Sequence, residues 1–169
     1  MPLLLFIIAG CAGPISPEVR KEADKNLEFV KVLEKPSSFR GSVVIWGGVI
    51  MRVVTRSGGS DLFLWETPLD YRGRPGGREN SEGEFIARTS ESLDPKIYAR
   101  GRRITVAGEI TGEELGSSND RPYLYPVIKI RESHLWEQNA PAVQLYWGKR
   151  PYYWPDEFTS DREYRGPLP

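Results

Sequence analysis

Residues 42–55, SVVIWGGVIMRVVT, constrain the fold more than any other stretch of the chain. Both parities of the run are apolar and rich in Val and Ile, so a strand built from it is buried on both faces. Gly47 and Gly48 interrupt it near the middle. With no side chains to pack, they mark a sharp bend, which predicts one strand whose two halves serve different parts of a closed sheet. Four further strands follow: residues 62–67 (LFLWET), 85–87 (FIA), 103–110 (RITVAGEI) and 126–131 (PVIKIR). In the fourth, Ile104, Val106, Gly108 and Ile110 alternate with Arg103, Thr105, Ala107 and Glu109; in the fifth, Ile128 and Ile130 oppose Lys129 and Arg131.

Punctuation between the strands narrows the class. In residues 94–101 Asp94 suits a cap, Pro95 the first helical position and Gly101 a positive-φ end, so a short helix is expected between strands three and four. Five strands, a glycine-bent first strand and one helix at that place is the order of an OB-fold-like barrel in a mainly β chain. A β-sandwich also accepts five short strands, but the helix favours the barrel. Before the strands, Ser16-Pro17-Glu18 reads as the start of an N-terminal helix, with Leu27, Val30 and Leu33 as its apolar stripe; LEFVKV also suits a strand. Seventeen glycines and fourteen prolines call for many turns. Residues 68–83, PLDYRGRPGGRENSEG, are expected as an exposed, mobile loop. After Asn139 no period is sustained, and Tyr146, Trp147, Tyr152, Tyr153, Trp154, Phe158 and Tyr164 lie in an irregular, proline-rich tail.

The one cysteine, Cys11, follows the apolar run of residues 3–9. No second cysteine exists for a disulfide, and the only histidine, His134, is far away in sequence for a metal site. The flanking Ala and Gly are too small to build a core around it. The run is too short to span a bilayer, which takes about 20 residues, yet suits the h-region of a signal peptide. Ile8-Ala9-Gly10-Cys11 resembles a bacterial lipobox. That implies removal of residues 1–10, diacylglycerol on the Cys11 sulfur and a palmitate-type acyl chain on the freed amino group. Several acyl chains hold a protein to a membrane almost permanently. Ala12, where an aspartate favours inner-membrane retention, implies the outer membrane. No Lys or Arg precedes the run, which points to a start codon upstream. The expected organisation is thus signal peptide 1–10, tether and N-terminal helical segment 11–41, OB-like barrel 42–138 and aromatic tail 139–169. Residues 11–17 are expected to leave the domain some freedom from the lipid.

Lys plus Arg and Asp plus Glu are 23 each, so the chain has no electrostatic footprint for nucleic acid. Without disulfides the domain must be held by packing. No catalytic, cofactor or metal site is expected. A Ser-His-Asp arrangement would need His134, which reads as structural. Glu113-Glu114 and Asp156-Glu157 are adjacent residues whose side chains point apart, unlike the facing carboxylates of glycan hydrolysis. Gly47-Gly48 and Gly76-Gly77 lack the Lys-Ser/Thr of a phosphate loop. The partners expected are the membrane, through Cys11, and an envelope protein or glycan met by tail aromatics such as Trp147 and Trp154, which otherwise pack on the barrel. A glycan-binding or glycan-hydrolysing envelope protein is the alternative.

An ordered set of short motifs carries a family resemblance: Trp46-Gly47-Gly48, Glu66-Thr67-Pro68-Leu69-Asp70, Gly73-Arg74-Pro75, Leu93-Asp94-Pro95, Gly101, Ile104-Thr105-Val106-Ala107-Gly108, Tyr123-Leu124-Tyr125-Pro126 and Leu135-Trp136. In order and spacing this resembles the Slp family of starvation-inducible outer-membrane lipoproteins, over residues 39–136 and the cysteine. Ser90-Glu91-Ser92 departs from the glycine-aromatic approach to the Leu-Asp-Pro motif expected for the family. The resemblance implies an outer-membrane, lipid-anchored periplasmic domain linked to stress or stationary phase and without an assigned catalytic activity.

Overall fold

The computed structural model describes residues 13–137. Cys11 and everything after Glu137, including Asp156-Glu157, Trp147 and Trp154, lie outside the described residues. Five strands dominate: β1 (Val43–Arg56), β2 (Gly59–Thr67), β3 (Gly83–Thr89), β4 (Arg103–Ser118) and β5 (Arg121–Leu135). β1 pairs antiparallel with β2 and with β4, β2 with β3, β4 with β5, and β3 runs parallel to β5. The order β1-β2-β3-β5-β4 therefore closes on itself. No helix among the described residues is long and apolar enough to cross a membrane.

The doubly apolar β1 works as its sequence predicts. Val43–Val49 pair with β4, Gly47–Arg56 pair with β2, and the two partners overlap at the glycines. A Cβ on Gly47 would sit 2.5 Å from the Thr67 carbonyl oxygen and 2.6 Å from the Leu69 side chain, so only glycine lets these backbones approach. A bulge between Ile50 and Arg52 adds further curvature.

Inside, Val44, Trp46, Ile50, Leu62, Leu64, Phe85, Ile104, Val106, Ile110 and Ile128 form one core. Trp46 meets Phe85 edge-on at 5.2 Å between ring centroids and Phe29 at 5.0 Å. The opposite faces of β2, β3 and β5 build a second, outer cluster of Phe63, Ile86, Tyr125 and Val127. β4 and β5 run on well past the sheet as a hairpin. Asn119 and Asp120 turn it, both at positive φ (50° and 61°), the conformation that a two-residue hairpin turn requires.

Several expectations are corrected. The helix between β3 and β4 is absent: residues 94–98 make a single hydrogen-bonded turn, with Lys96 N–H on the Asp94 carboxylate and Tyr98 N–H on the Asp94 carbonyl. One turn fixes several dihedrals for one or two bonds, and Gly101 at φ +87° turns the chain back toward β1 before a helix can extend. The helix packed on the core precedes β1 instead. There the expected N-terminal helix divides into α1 (Pro17–Glu22), capped by Ser16, and α2 (Phe29–Glu34), followed by a 3-10 turn over Pro36–Phe39. Asp24 accepts the Asn26 N–H in the break. Phe29 and Val32 reach the core, with Leu27 and Leu33 beside them, whereas Val30 of the predicted stripe is 44% exposed. The expected mobile loop is organised too. The Asp70 carboxylate accepts the N–H groups of Arg72 and Arg74, both at 2.8 Å, Leu69 bridges to Pro75, and Arg78–Asn80 form a 3-10 turn.

Candidate functional site

The chain is gripped almost as soon as it leaves the predicted lipid site. Ile15 is buried, and both the backbone N–H and the hydroxyl of Ser16 donate to the Glu132 carboxylate, at 2.8 and 2.6 Å. Those bonds hold the Glu132 carboxyl below its ordinary range. Of the stretch expected to be free tether, Ile15 and Ser16 are thus fixed to the domain.

Beside this strap lies a cleft of about 590 Å³, walled by Pro14, Trp46, Leu69, Asp70, Gly73 and Thr105 among others. The last five belong to the motifs of the family resemblance. A hydrogen-bond chain fixes the wall: Trp136 Nε1–H donates to the Thr105 hydroxyl at 2.9 Å, which donates to the Gly73 carbonyl at 2.6 Å. Arg20, Lys25 and the exposed Arg72 add positive charge there, against Asp24 and Asp70.

Two sets of arginines occupy the outer surface around β2. In the first, Arg88 grips fully buried Asp61 with a two-pronged contact at 2.7 and 2.8 Å, and Arg56 joins at 2.5 Å. Both arginines also reach Glu114 on the β4–β5 hairpin, at 2.7 and 3.1 Å. Burial by itself raises the Asp61 carboxyl; the guanidiniums of Arg88 and Arg56 outweigh it and hold Asp61 below its ordinary range. The hydrogen bond from Arg88 lowers Glu114 likewise. Of the candidate pair Glu113-Glu114, one carboxylate is therefore bound to arginines, and the other accepts the Ser37 hydroxyl.

In the second set the arginines lie on aromatic rings. The Arg52 guanidinium sits 3.4 Å from the centroid of Phe63, and those of Arg78 and Arg100 sit 3.8 and 5.3 Å from the centroid of Trp65. Alternation along β2 places Phe63 and Trp65 on one face. All three arginines are exposed, and none has a carboxylate within 4 Å among the described residues. Across from Trp65 in register is Glu84, whose carboxylate is buried and takes the Ser118 hydroxyl on one oxygen. Burial, helped by Glu84, pushes the Tyr125 phenol up to about 12.

Sequence reasoning missed the second set. The F-L-W alternation was its only signal, because Arg52, Arg78 and Arg100 come from three separate segments. His134 is exposed at the end of β5, its ring edge-on to Trp136 at 4.6 Å. Glu66 shares the inward face of Leu62 and Leu64; burial, with Glu82 adding to it, pushes its carboxyl up to about 7.

A family model described as "Outer membrane lipoprotein Slp family" matches residues 8–159. The Outer membrane protein Slp of Escherichia coli K12 is 29% identical over 144 residues, 85% of this chain and 76% of that protein. The uncharacterized lipoprotein YeaY of the same strain is 31% identical over 138 residues, 82% of this chain and 71% of that protein. An uncharacterized protein of Haemophilus influenzae is 23% identical over 134 residues, 79% of this chain and 72% of that protein. No solved structure matches significantly.

Proposed function

The chain belongs to the Slp family of outer membrane lipoproteins, and from that premise we propose that Cys11 carries the lipid and holds an OB-type barrel, residues 42–138, on the periplasmic side of the outer membrane. The domain acts there as a structural or binding module without catalysis, and its abundance rises under stress or in stationary phase. Residues 1–10 are removed as signal peptide, residues 11–41 join the anchor to the barrel, and residues 139–169 form the irregular aromatic tail.

The observation that carries this reading is the clamp on Ser16. Ile15 and Ser16 are fixed to the barrel only a few residues after Cys11, which limits the gap between lipid and domain to roughly 3.5 Å per intervening residue. Such a module rides close to its membrane, with the cleft at the anchored end. The strand order β1-β2-β3-β5-β4, with the curved β1 shared between two partners, supports the OB assignment.

Metabolic labelling with a palmitate analogue, followed by membrane fractionation, tests the proposal. Label on wild type in the outer membrane and none on Cys11→Ser is the expected result. Equal label on both, or wild-type protein in the soluble fraction, overturns it.

A further inference from the structure

We infer that Arg52, Arg78 and Arg100 form a binding site for phosphate on an anionic lipid surface. The first argument is electrostatic. Three guanidiniums lie along two rings that are two residues apart on one strand, and no carboxylate among the described residues lies within 4 Å of them. Glu84, across from Trp65, is buried, with one carboxylate oxygen on the Ser118 hydroxyl and the other without a hydrogen-bond partner. Like charges gathered in this way repel, and an external anion relieves that repulsion.

Geometry supplies the second. A guanidinium stacked on a ring is held through its face, which leaves the N–H edge pointing away from the ring and free for a two-pronged contact with oxygen. Arg78 and Arg100 are both held at the Trp65 ring, at 3.8 and 5.3 Å from its centroid, which brings two guanidiniums to one side chain. A phosphate offers enough oxygens for two such forks; a carboxylate is filled by one. Stacking also removes much of the side-chain freedom that an arginine would otherwise lose on binding.

The source of the phosphate follows from the family. An outer membrane lipoprotein always has a phosphate-bearing surface beside it, and basic side chains near such a surface strengthen attachment. The inference rests on the proposed function for this nearness alone; it requires no particular modification of Cys11.

The test is co-sedimentation of the full chain carrying Cys11→Ser, which removes the anchor, with vesicles of phosphatidylcholine alone or with added phosphatidic acid. Preferential binding to the phosphatidic acid vesicles, weakening as salt shortens the Debye length, is expected. Arg78→Ala with Arg100→Ala should weaken it roughly thirtyfold, with the thermal midpoint lowered by no more than about 2–4 °C through the lost ring contacts. The paired Lys substitutions, which keep charge but lose the fork, should recover only part. Equal binding to both vesicle types overturns the inference, as does undiminished binding by the Ala variant. Full binding by the Lys variant overturns the fork, and saturation by millimolar inorganic phosphate with no gain from vesicles overturns the lipid source. Loss of the palmitate label with intact vesicle binding would count against the anchor and not against this site.

Discussion

The two arginine sets around β2 share a residue type and a surface and differ in what satisfies them. Arg56 and Arg88 are held by Asp61 and Glu114, so their charge is spent on joining the β4–β5 hairpin to β1, β2 and β3. Arg52, Arg78 and Arg100 are held by rings, so their charge still faces solvent. What an arginine does is decided by its partner. A buried carboxylate makes it part of the fold, whereas an aromatic face positions it and leaves its donors unused.

Removing the shared acceptor should have the largest effect. Asp61→Ala takes the shared acceptor from Arg56 and Arg88, which are partly exposed and keep Glu114, and denaturant unfolding should show a loss of about 3 kcal/mol from the lost charge-assisted hydrogen bonds. A loss below 1 kcal/mol would erase the distinction between the sets. A carboxylate with no arginine supplies the contrast. Glu66 ordinarily titrates near 4.5 and is pushed up to about 7 in the fold. The folded state therefore binds the proton more tightly, and its stabilising effect is complete below pH 4.5 and lost as pH rises through 7. That loss is on the order of 3 kcal/mol. Glu66→Gln should flatten the decline between pH 5 and 8 and be more stable than wild type at pH 8. Asp61 and Glu114 act in the opposite sense: their contribution is present above their ordinary values, 3.8 and 4.5, and is lost as pH falls below them.

Smaller effects sharpen the comparison further. Glu114 is partly exposed, so Glu114→Gln should cost only ~1 kcal/mol or less, read as earlier unfolding in urea. Arg52→Ala removes a stacked cation from Phe63 and should cost about 0.5–1 kcal/mol by the same measurement.

What the sequence reveals follows the same division. The interior was legible, because β1, β2 and β4 write burial directly into β-branched runs and alternation, and Gly47-Gly48 marks the bend. The outer hairpin was not. Residues 113–122 are mostly exposed, because the two strands there pair only with each other, which erases the period-two signal. In residues 94–101 cap, proline and glycine all suited a helix, but too few residues separated them for more than one turn. Of the candidate site, the lipid position proposed at Cys11 rests on local sequence alone, since a lipobox is contiguous. The stacked arginines were not legible there, because closure of the sheet, and not proximity along the chain, brings Arg52, Arg78 and Arg100 to Phe63 and Trp65.

The most direct measurement is a side-by-side thermal melt of two double variants, Arg56→Ala with Arg88→Ala and Arg78→Ala with Arg100→Ala. The account predicts a fall of roughly 6 °C or more for the first, at about 2–4 °C per kcal/mol for a chain of this size, and for the second only the about 2–4 °C that losing the Trp65 ring contacts costs. Equal falls, or a larger fall for the second, would contradict it.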